Sequence, residues 1–540
     1  MSGKTLVLGF DALDFEYLNR FSDELPNFAS LRSKGVATPL ASTMPPWTGS
    51  AWPSMYTGVD PSYHSVYDFF SHDARAPTES TLITRNDVRA PALWNYLTEK
   101  NRQSIVLNLP VTHPVEEING VIVPGYLAPE KAPGYPANIR SEISQAIGET
   151  YRIYAEYELS NDAEKKLNDY VNLIEMRTKA AKYLLTNYEW DVGIIQVQKT
   201  DAVFHNFDTD EEFLQVYKKA DEFVGELVSI VDTDDTIIVC SDHGIGPANG
   251  YTIYINEILR DAGYVETTTT RHDHSLRSAK QTLTQVNRSD RTESTTTAIQ
   301  HTVRLLRGMG ISPGQMYAVL QRVGLGEITL SMLPYNVKKA IEVVVEVESS
   351  VAYCRSSSEL GIRLNVKGRE ASGIVDLNEY ETIRDEIIEL LSTIETPDGE
   401  SAFERVVRRE DVYSGPYTNS ACDILFYPNK MNNPVKTKLF GKRFIKTNVF
   451  DHKTVGVFIG SGPAFNLDWN GSLELIDVAP ITLATADVPV PTRMTGRVPS
   501  KLVRKDIEYD EYESLTYRTG EVDNVLDDQI EDRLSDLGYL

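Results

Sequence analysis

Residues 5–14 read TLVLGFDALD, a short apolar run that ends at an aspartate. A run of this length with few charges is typical of a β-strand that is buried on both faces of a parallel sheet. Four other runs of the same kind begin at Ser104, Val192, Thr236 and Val455. The sequence therefore predicts a set of buried parallel strands, and this stretch supplies the first of them.

Amphipathic patterns separate these runs. Apolar residues recur at intervals of three and four in residues 91–101, 163–186 and 211–231, which is the spacing of one face of an α-helix. Strands that alternate with helices predict an α/β fold, in which a mostly parallel sheet carries helices on both faces. Ligands of such sheets bind at the carboxyl ends of the strands, so the residues that follow each strand are the first candidates for function.

The composition limits the classes of function. The 540 residues include 53 Lys and Arg against 78 Asp and Glu, a net charge of -25, which argues against a general binder of nucleic acid or anionic membranes. The three cysteines have neither a disulfide nor a zinc-ribbon spacing. No apolar run is long enough to span a bilayer, and the N-terminus lacks the features of a signal peptide. We therefore expect a soluble, cytoplasmic protein.

Three aspartates and three histidines stand near the predicted strands. They are Asp11, Asp201, His205, Asp242, His243 and His452. Two of them, Asp201 and His205, lie four residues apart, which places both on one face of a helical turn. Taken singly, a carboxylate after a strand often caps the next helix, and a lone histidine is often a structural residue. The prediction of a functional site therefore depends on the whole set.

Carboxylate and imidazole ligands of this kind suit Zn²⁺ or Mn²⁺ better than Ca²⁺. Six protein ligands exceed what one catalytic ion with an open position would take. They suit two ions about 4 Å apart, an arrangement that stabilises both the attacking and the leaving oxygen of a phosphoryl displacement. The sequence therefore predicts two divalent ions, with zinc expected and manganese as the alternative.

Candidate nucleophiles occur shortly after Asp11. Residues 45–58 read PPWTGSAWPSMYTG, and their hydroxyl groups include those of Thr48, Ser50, Ser54 and Thr57. Such a hydroxyl is almost entirely protonated at its free pKa, so it needs activation by a base or a metal ion before it attacks an ester. On the residues alone, the nucleophile stays open among these hydroxyls.

Five motifs occur in the order, and with roughly the spacing, found in the alkaline phosphatase superfamily. They read LGFDALD, PPWTGSAWPSMYTGVDPSYHSVYDF, TDAVFH, SDHG and DHKTVGVFIGSG. The chain most closely resembles the type I phosphodiesterase/nucleotide pyrophosphatase family, particularly its archaeal and bacterial members. The resemblance extends from the N-terminus to about Arg497 and includes IDVAPITLA near the end. It implies an alkaline-phosphatase-like fold and a two-metal phosphohydrolase, most plausibly a phosphodiesterase or nucleotide pyrophosphatase.

The resemblance also implies a role for each site residue. Thr48 matches the nucleophile, which would attack phosphorus in line and form a phospho-threonine that water then hydrolyses. The segment after Thr48 would begin a helix whose first N–H groups help to hold the phosphate. The ligands of the two metal ions match Asp11, Asp242 and His243, with Thr48 beside them, for one ion, and Asp201, His205 and His452 for the other.

One position departs from the family pattern. Characterised nucleotide pyrophosphatases carry an asparagine that contacts a phosphate oxygen where this chain has Phe69, and a glycine where it has Ser65. Arg363 and Lys199 are candidate replacements for that contact. The expected partner is a small phosphorylated substrate, a nucleotide or another phosphodiester, and not a nucleic acid polymer. Selectivity for nucleotides stays open, as does the oligomeric state.

Alternative functions differ in what they require. A sulfatase shares the fold but needs a cysteine or serine in a C/S-x-P-x-R context, which the sequence WTGSAW lacks. A phosphomonoesterase, or a phosphomutase or other phosphotransferase, would use the same metal ions and stays open. A non-catalytic homologue that binds a ligand or partner would be expected to have lost ligands, whereas all six matched positions and the hydroxyl are filled.

The chain is expected to divide into four parts. Residues 1–260 and 351–500 form the catalytic α/β domain. The insertion between them, residues 261–350, is a smaller cap region, partly flexible. Within it, residues 267–310 carry seven Arg or Lys against three Asp or Glu, as expected of an exposed connector or of a lid that attracts an anionic substrate. Residues 501–540 form an acidic helical tail with an apolar stripe of Val522, Leu526, Ile530, Leu534 and Leu537.

Overall fold

The computed structural model describes residues 3–72, 80–269, 343–515, 517, 530 and 533–535. The chain separates into two compact units. The first unit comprises Met1–Ile253, Cys354–Lys436 and Phe444–Leu540, and the second comprises Tyr254–Tyr353 and Thr437–Arg443. All the candidate site residues named above belong to the first unit.

The three helices that apolar spacing predicts are present. The α-helices of the described residues are α1 (Phe15–Arg20), α2 (Pro26–Lys34), α3 (Thr48–Thr57), α4 (Pro61–His64), α5 (Leu93–Glu99), α6 (Ile139–Ile147), α7 (Ala163–Asn187), α8 (Lys199–Asn206), α9 (Asp210–Val228), α10 (Ile255–Asp261), α11 (Tyr380–Ser392) and α12 (Val478–Thr485). The predicted three are α5, α7 and α9. Helix α7 begins after Asp162, whose side chain accepts a hydrogen bond from the Lys165 N–H and so caps the first turn.

The five predicted strands are also present, as β1, β5, β7, β8 and β20. The strands of the described residues are β1 (Thr5–Phe10), β2 (Val36–Ala41), β3 (Phe70–His72), β4 (Ser80–Leu82), β5 (Ser104–Leu109), β6 (Gly120–Pro124), β7 (Val192–Val197), β8 (Thr236–Ser241), β9 (Gly244–Ala248), β10 (Tyr251–Tyr254), β11 (Thr267–Thr269), β12 (Val343–Val345), β13 (Ala352–Tyr353), β14 (Gly361–Leu364), β15 (Phe403–Arg408), β16 (Ile424–Pro428), β17 (Val435–Lys436), β18 (Phe444–Lys446), β19 (Val449–Lys453), β20 (Val455–Ser461), β21 (Leu473–Glu474), β22 (Val490–Pro491) and β23 (Tyr509–Asp510).

The main sheet of the first unit has eight strands in the order β21-β2-β20-β8-β1-β7-β5-β6. Strand β1 pairs in parallel with β7 and β8, and β5 pairs in parallel with β7 and β6. The sheet is therefore mostly parallel, and the α/β fold class predicted from the sequence is confirmed. Strand β1, with which the sequence analysis began, lies in the interior of this sheet.

The predicted orientation of one strand is wrong. The run that begins at Val455 forms β20, but β20 runs antiparallel to both of its neighbours, β2 and β8. An apolar run indicates that a strand is buried. It does not indicate the direction of the strand, because a strand inside a sheet is buried in the same way whichever direction it runs. The direction is set by how the chain enters the sheet, which a local pattern does not record.

Helices cover both faces of the sheet, as successive residues of β1 show. Phe10 contacts Phe28 of α2 and Phe223 of α9, with ring centroids 5.4 and 5.7 Å apart. Its neighbour Gly9 lies on the opposite face against Trp52 of α3, because side chains alternate along a strand. Helix α3 is thereby packed on one face of the strand that ends at Asp11.

Smaller elements complete each unit. In the first unit, β14, β16 and β15 form an antiparallel arrangement on which α11 packs through β15. In the second unit, β11 and β12 pair antiparallel. The Asn256 side chain of α10 donates to the Thr437 carbonyl and ties that helix to residues 437–443.

Parts of the predicted organisation lie outside the described residues. Most of the insertion at 261–350, with its basic stretch, is among them, so its boundaries stay a prediction. Within the acidic tail, Ile530 and Leu534 are described and both are buried. Val522, Leu526 and Leu537 lie outside the described residues. No helix in the described part of the chain is long and apolar enough to cross a membrane.

The buried hydroxyl of Ser241 links three segments of the first unit by hydrogen bonds. Ser241, the last residue of β8, donates to the Leu13 carbonyl at 2.9 Å and accepts the Val457 N–H of β20 at 2.8 Å. We predict that Ser241→Ala lowers the free energy of unfolding by about 1 to 3 kcal/mol, because it leaves buried polar groups without this partner. Equilibrium urea unfolding measures the loss. Ser33→Ala, at an exposed position of α2, is the control, and an equal effect of both variants would contradict the prediction.

Candidate active site

The site lies at the carboxyl ends of three neighbouring strands. Asp11 directly follows β1, and Asp242 and His243 directly follow β8. Helix α8 begins two residues after β7 and carries Asp201 and His205 one turn apart. Because β7 and β8 flank β1 in the sheet, the topology brings these side chains together at one edge.

His452 reaches the same place from outside the main sheet. It lies in β19, which runs antiparallel to β9, and β9 begins immediately after His243. The Nε2 atom of His452 lies 3.2 Å from Nε2 of His205 and 3.4 Å from Oδ1 of Asp201. The same Asp201 oxygen lies 3.1 Å from His205 Nε2. These three side chains form one group with the geometry to hold a metal ion.

A second group lies directly beside the first. His243 Nε2 is 3.5 Å from Asp11 Oδ1 and 3.3 Å from Asp242 Oδ2. Asp201 also offers an oxygen within 4.8 Å of ligand atoms of Asp11 and His243, so its carboxylate faces both groups. The rings of His243 and His452 stack with their centroids 3.8 Å apart. The structure thus brings together all six residues that the sequence singled out.

Backbone carbonyls fix the orientation of two of the imidazoles. His243 Nδ1 lies 3.0 Å from the Gly244 carbonyl, and His452 Nδ1 lies 3.2 Å from the Pro46 carbonyl. A carbonyl oxygen can only accept, so each Nδ1 carries a proton, and in the neutral form of each ring the lone pair that can bind a metal ion is then on Nε2. Contacts of this type are those that hold metal-binding histidines in place.

Two ligand atoms of the site have no hydrogen-bond partner among the described residues. They are Asp242 Oδ2 and His243 Nε2, in side chains that are fully buried. A buried carboxylate oxygen without a donor is costly, and the lone pair on His243 Nε2 has the same need. A divalent cation satisfies both, so the donor set fits a metal ion of the zinc or manganese type.

The pKa values of the three carboxylates differ when no metal ion is bound. Burial, together with the charge of Asp201, raises the pKa of Asp11 well above its ordinary value. Burial and the charge of Asp11 do the same for Asp242. Burial also acts to raise the pKa of Asp201, but His205 and His452 outweigh it and hold that pKa well below the ordinary value. Without a metal ion, Asp11 and Asp242 therefore hold their protons to a higher pH than ordinary aspartates do.

Thr48 is the first residue of α3, and its side chain is buried. Its Oγ1 donates to Asp11 Oδ1 at 3.2 Å. The first N–H groups of an α-helix have no acceptor within the helix, and together with the helix dipole they favour a bound anion. A hydroxyl, a potential metal ligand and a helix N-terminus therefore meet at one place.

The other three candidate hydroxyls each donate to a backbone carbonyl of their own segment, and Ser54 Oγ also lies 2.9 Å from Nε2 of the buried His64. Ser50 donates to the Pro45 carbonyl at 2.8 Å, and Ser54 to the Ser50 carbonyl at 2.9 Å. Thr57 donates to the Pro53 carbonyl at 2.6 Å. These bonds along the backbone are typical of structural hydroxyls in helices. Within this set, the contact with a candidate metal ligand is made by Thr48.

The second oxygen of Asp11 is held by donors that the sequence analysis missed. Trp52 Nε1 donates to Asp11 Oδ2 at 3.1 Å, and Gln196 Nε2 donates to it at 3.3 Å. Asn108 Nδ2 donates to Gln196 Oε1 at 2.8 Å, which leaves the amide nitrogen of Gln196 facing Asp11. Oδ1 of Asp11 is thereby left to Thr48 and to a metal ion.

The sequence does contain signals for these donors. Gln196 and Asn108 are polar residues inside the apolar runs of β7 and β5, where a side chain needs a buried partner. Gly9 makes room for Trp52, because a Cβ at Gly9 would lie 2.6 Å from the Trp52 ring. In this chain, the polar residues and the glycine inside the buried strands thus indicate where the site is.

Phe69, which stands at the position of the missing asparagine, and the two candidate replacements for its phosphate contact lie in different surroundings. Phe69 is fully buried, and a Cβ at Gly49 of α3 would lie 3.0 Å from its ring. Lys199, at the start of α8, forms a buried ion pair with Glu158. Arg363 pairs with Glu370 at 2.7 Å and donates to backbone carbonyls. Both basic side chains are therefore already engaged in the first unit.

The main sheet and its helices resemble solved structures of phosphorus-ester and phosphonate enzymes. Phosphonoacetate hydrolase from Sinorhizobium meliloti 1021, in complex with phosphonoformate, has a TM-score of 0.53 at 15% identity, with 90% of this chain and 96% of that chain covered. Wild-type alkaline phosphatase PafA has a TM-score of 0.52 at 11% identity, with 93% and 99% covered. At these identities the likeness concerns the fold.

A family model assigns the chain more closely. The model for type I phosphodiesterase / nucleotide pyrophosphatase matches residues 5–325, more than half of the 540 residues. The chain belongs to this family, and the resemblance to the family identified from the sequence motifs is confirmed. A comparison with curated proteins found no match.

We predict that Gln196→Met weakens Zn²⁺ binding by about 10- to 100-fold, because Asp11 loses a donor that orients it toward the metal ion. Methionine keeps the length of the side chain, and the Trp52 contact remains. Competition with a chromophoric chelator measures the affinity. Gln145→Met, at an exposed position of α6, is the control and should bind Zn²⁺ like the wild type. Equal affinities for the two variants would show that Gln196 does not position Asp11.

Metal binding should release protons. Because burial raises the pKa values of Asp11 and Asp242, these carboxylates hold protons to a higher pH than ordinary aspartates do, and a cation must displace the protons that they hold. The apparent metal affinity should therefore increase as the pH rises toward those raised pKa values. Calorimetric titration with Zn²⁺ in two buffers of different ionisation enthalpy measures the release. A binding enthalpy that is the same in both buffers would contradict this expectation.

Proposed function

We propose that this chain is a metal-dependent phosphodiesterase that acts through a phospho-threonine intermediate on Thr48. The observation that carries the proposal is the contact of Thr48 Oγ1 with Asp11, beside two adjoining groups of metal-binding side chains. Membership of the type I phosphodiesterase / nucleotide pyrophosphatase family supports it.

The residues that would hold the ions divide as the family pattern suggests. Asp201, His205 and His452 would hold one ion. Asp11, Asp242 and His243 would hold the other, with Thr48 next to it. Two Zn²⁺ ions are proposed, with Mn²⁺ as the alternative; when bound, such a pair stabilises the attacking and the leaving oxygen of the displacement.

The protein groups then act in a defined order. Asp11 Oδ1 orients the Thr48 hydroxyl through their hydrogen bond. Thr48 Oγ1 loses its proton to solvent and forms a bond to phosphorus while the bond from phosphorus to the leaving oxygen breaks, and the leaving oxygen takes up a proton from solvent. The N–H groups at the start of α3 bind a non-bridging oxygen. Water then attacks the phospho-threonine, and the Thr48 hydroxyl and the second product are released.

The space next to the site accommodates an esterified group of the substrate. A pocket of about 910 Å³ in the first unit is lined in part by His205 and by Trp47, the residue before Thr48. This volume is in the range of small-molecule binding sites. Family membership favours a diester as the substrate; a phosphomonoester also carries an esterified group, so a monoesterase is the second candidate.

Substitution of the nucleophile tests the proposal. With bis(p-nitrophenyl) phosphate and added Zn²⁺, Thr48→Ala should lower kcat on the order of 10³-fold or more, since no other hydroxyl takes over the displacement. Mass spectrometry of acid-quenched wild-type enzyme should detect phosphate ester on Thr48. Thr57→Ala, which removes a hydroxyl bound to a backbone carbonyl of the same helix, is the control and should retain the activity.

Two outcomes would overturn the proposed function. Full activity of Thr48→Ala would exclude the threonine intermediate, and less than one equivalent of metal per chain in protein purified without chelators would exclude the metal groups. A preference for p-nitrophenyl phosphate over the diester would instead favour the monoesterase. Removal of metal with a chelator should abolish hydrolysis, and Zn²⁺ or Mn²⁺ should restore it.

A further inference from the structure

The pocket beside the site borders the second ligand group. Its lining includes His205 itself, Asp451, which precedes His452, and Trp47. The Trp47 ring packs on the His452 ring with centroids 4.5 Å apart. A molecule in the pocket would therefore touch the residues around the ion that Asp201, His205 and His452 would hold.

The position of the nucleophile suggests which half of the substrate enters this pocket. Thr48 contacts Asp11, which belongs to the other ligand group. In an in-line displacement the leaving oxygen departs on the side of phosphorus opposite to the nucleophile. That side is the one toward His205 and His452, where the pocket opens. The pocket would therefore receive the leaving group.

One wall of the pocket is aromatic. Trp47, Phe204, Phe207 and Phe450 contribute rings to the lining. Phe204 and Phe450 contact each other with centroids 5.3 Å apart, and both pack against Phe213 behind them at 4.1 and 5.1 Å. Rings fixed in this way favour an apolar, aromatic or cationic body over a strongly hydrated anion.

The charged side chains of the pocket also disfavour an anionic leaving group. Among the described residues that line it, the acidic side chains are Asp208, Glu212 and Asp451, and the basic ones are Lys436 and the candidate ligand His205. A leaving group with its own phosphate would bring negative charge toward three carboxylates. Like charges placed together repel each other, so such a leaving group would be disfavoured.

We infer that the leaving group of this enzyme is an uncharged or cationic alcohol without a phosphate of its own, bound in the aromatic pocket beside His205. The inference rests on the proposed function and narrows its substrate class. It predicts that the substrates are simple phosphodiesters and not pyrophosphates, whereas the description of the family covers both.

A pair of substrates that share the retained half tests the inference. Thymidine 5′-monophosphate p-nitrophenyl ester and thymidine 5′-triphosphate both leave a thymidylyl group on Thr48. The first releases p-nitrophenol and the second releases pyrophosphate. With added Zn²⁺, kcat/KM for the nitrophenyl ester should exceed that for the triphosphate by about 100-fold or more.

Removal of the acidic charges should reduce this preference. The double variant Asp208→Asn, Glu212→Gln should shift the ratio of the two kcat/KM values by about tenfold toward the triphosphate, with unchanged metal content. Asp210→Asn is the matched control, because Asp210 lies between these two residues in sequence, is exposed and pairs with Arg20. It is not among the lining residues and should leave the ratio unchanged.

The outcomes separate the two proposals. Hydrolysis of both substrates with equal or better use of the triphosphate would overturn the leaving-group inference and leave the hydrolytic function intact. A ratio that the double variant does not change would also overturn it. Metal-loaded wild-type enzyme that hydrolyses neither substrate would overturn the proposed function and the inference together.

Discussion

The burial of Asp11 is the constraint on which the rest of the site depends. Its carboxylate is fully buried and lies near two further carboxylates, so it is stable only if each oxygen has a partner. Trp52 and Gln196 donate to one oxygen, whereas Thr48 and the proposed metal ion share the other. The same contacts fix the rotation of the carboxylate. A structural requirement of the fold and the presentation of a metal ligand are therefore met by one set of hydrogen bonds.

Much of the surrounding architecture follows from this arrangement. Gly9 has no side chain because Trp52 occupies that space, and this contact places α3 with Thr48 at its first turn. The neighbouring strands β7 and β8 end at the same edge and deliver the other ligands, because parallel strands share one carboxyl end. His452 alone arrives from a separate ribbon, where its Nδ1 contact with Pro46 links that ribbon to the segment before Thr48.

The fold and the ligand set could largely be predicted, and the failures have physical reasons. Buried strands and amphipathic helices have local periodicities, so β1, β5, β7 and β8 could be read directly. The direction of β20 could not, since an apolar run is the same in either direction. Lys199 and Arg363, the candidate phosphate contacts, form buried ion pairs with Glu158 and Glu370. Glu158 is 41 residues from Lys199 in sequence, so a local pattern does not reveal that pair.

By itself, the sequence determined the α/β class, the six candidate ligands and the stretch that carries the proposed nucleophile, because each strand, candidate ligand and hydroxyl stands in a short local motif. The tertiary structure decided which oxygen of Asp11 faces Thr48, which nitrogen of His243 and of His452 faces a backbone carbonyl, and what lies beside the site. The aromatic and acidic pocket is built from segments as distant as Trp47, Phe204 and Phe450. Only folding brings such segments together, so the chemistry of the leaving group is a property of the tertiary structure.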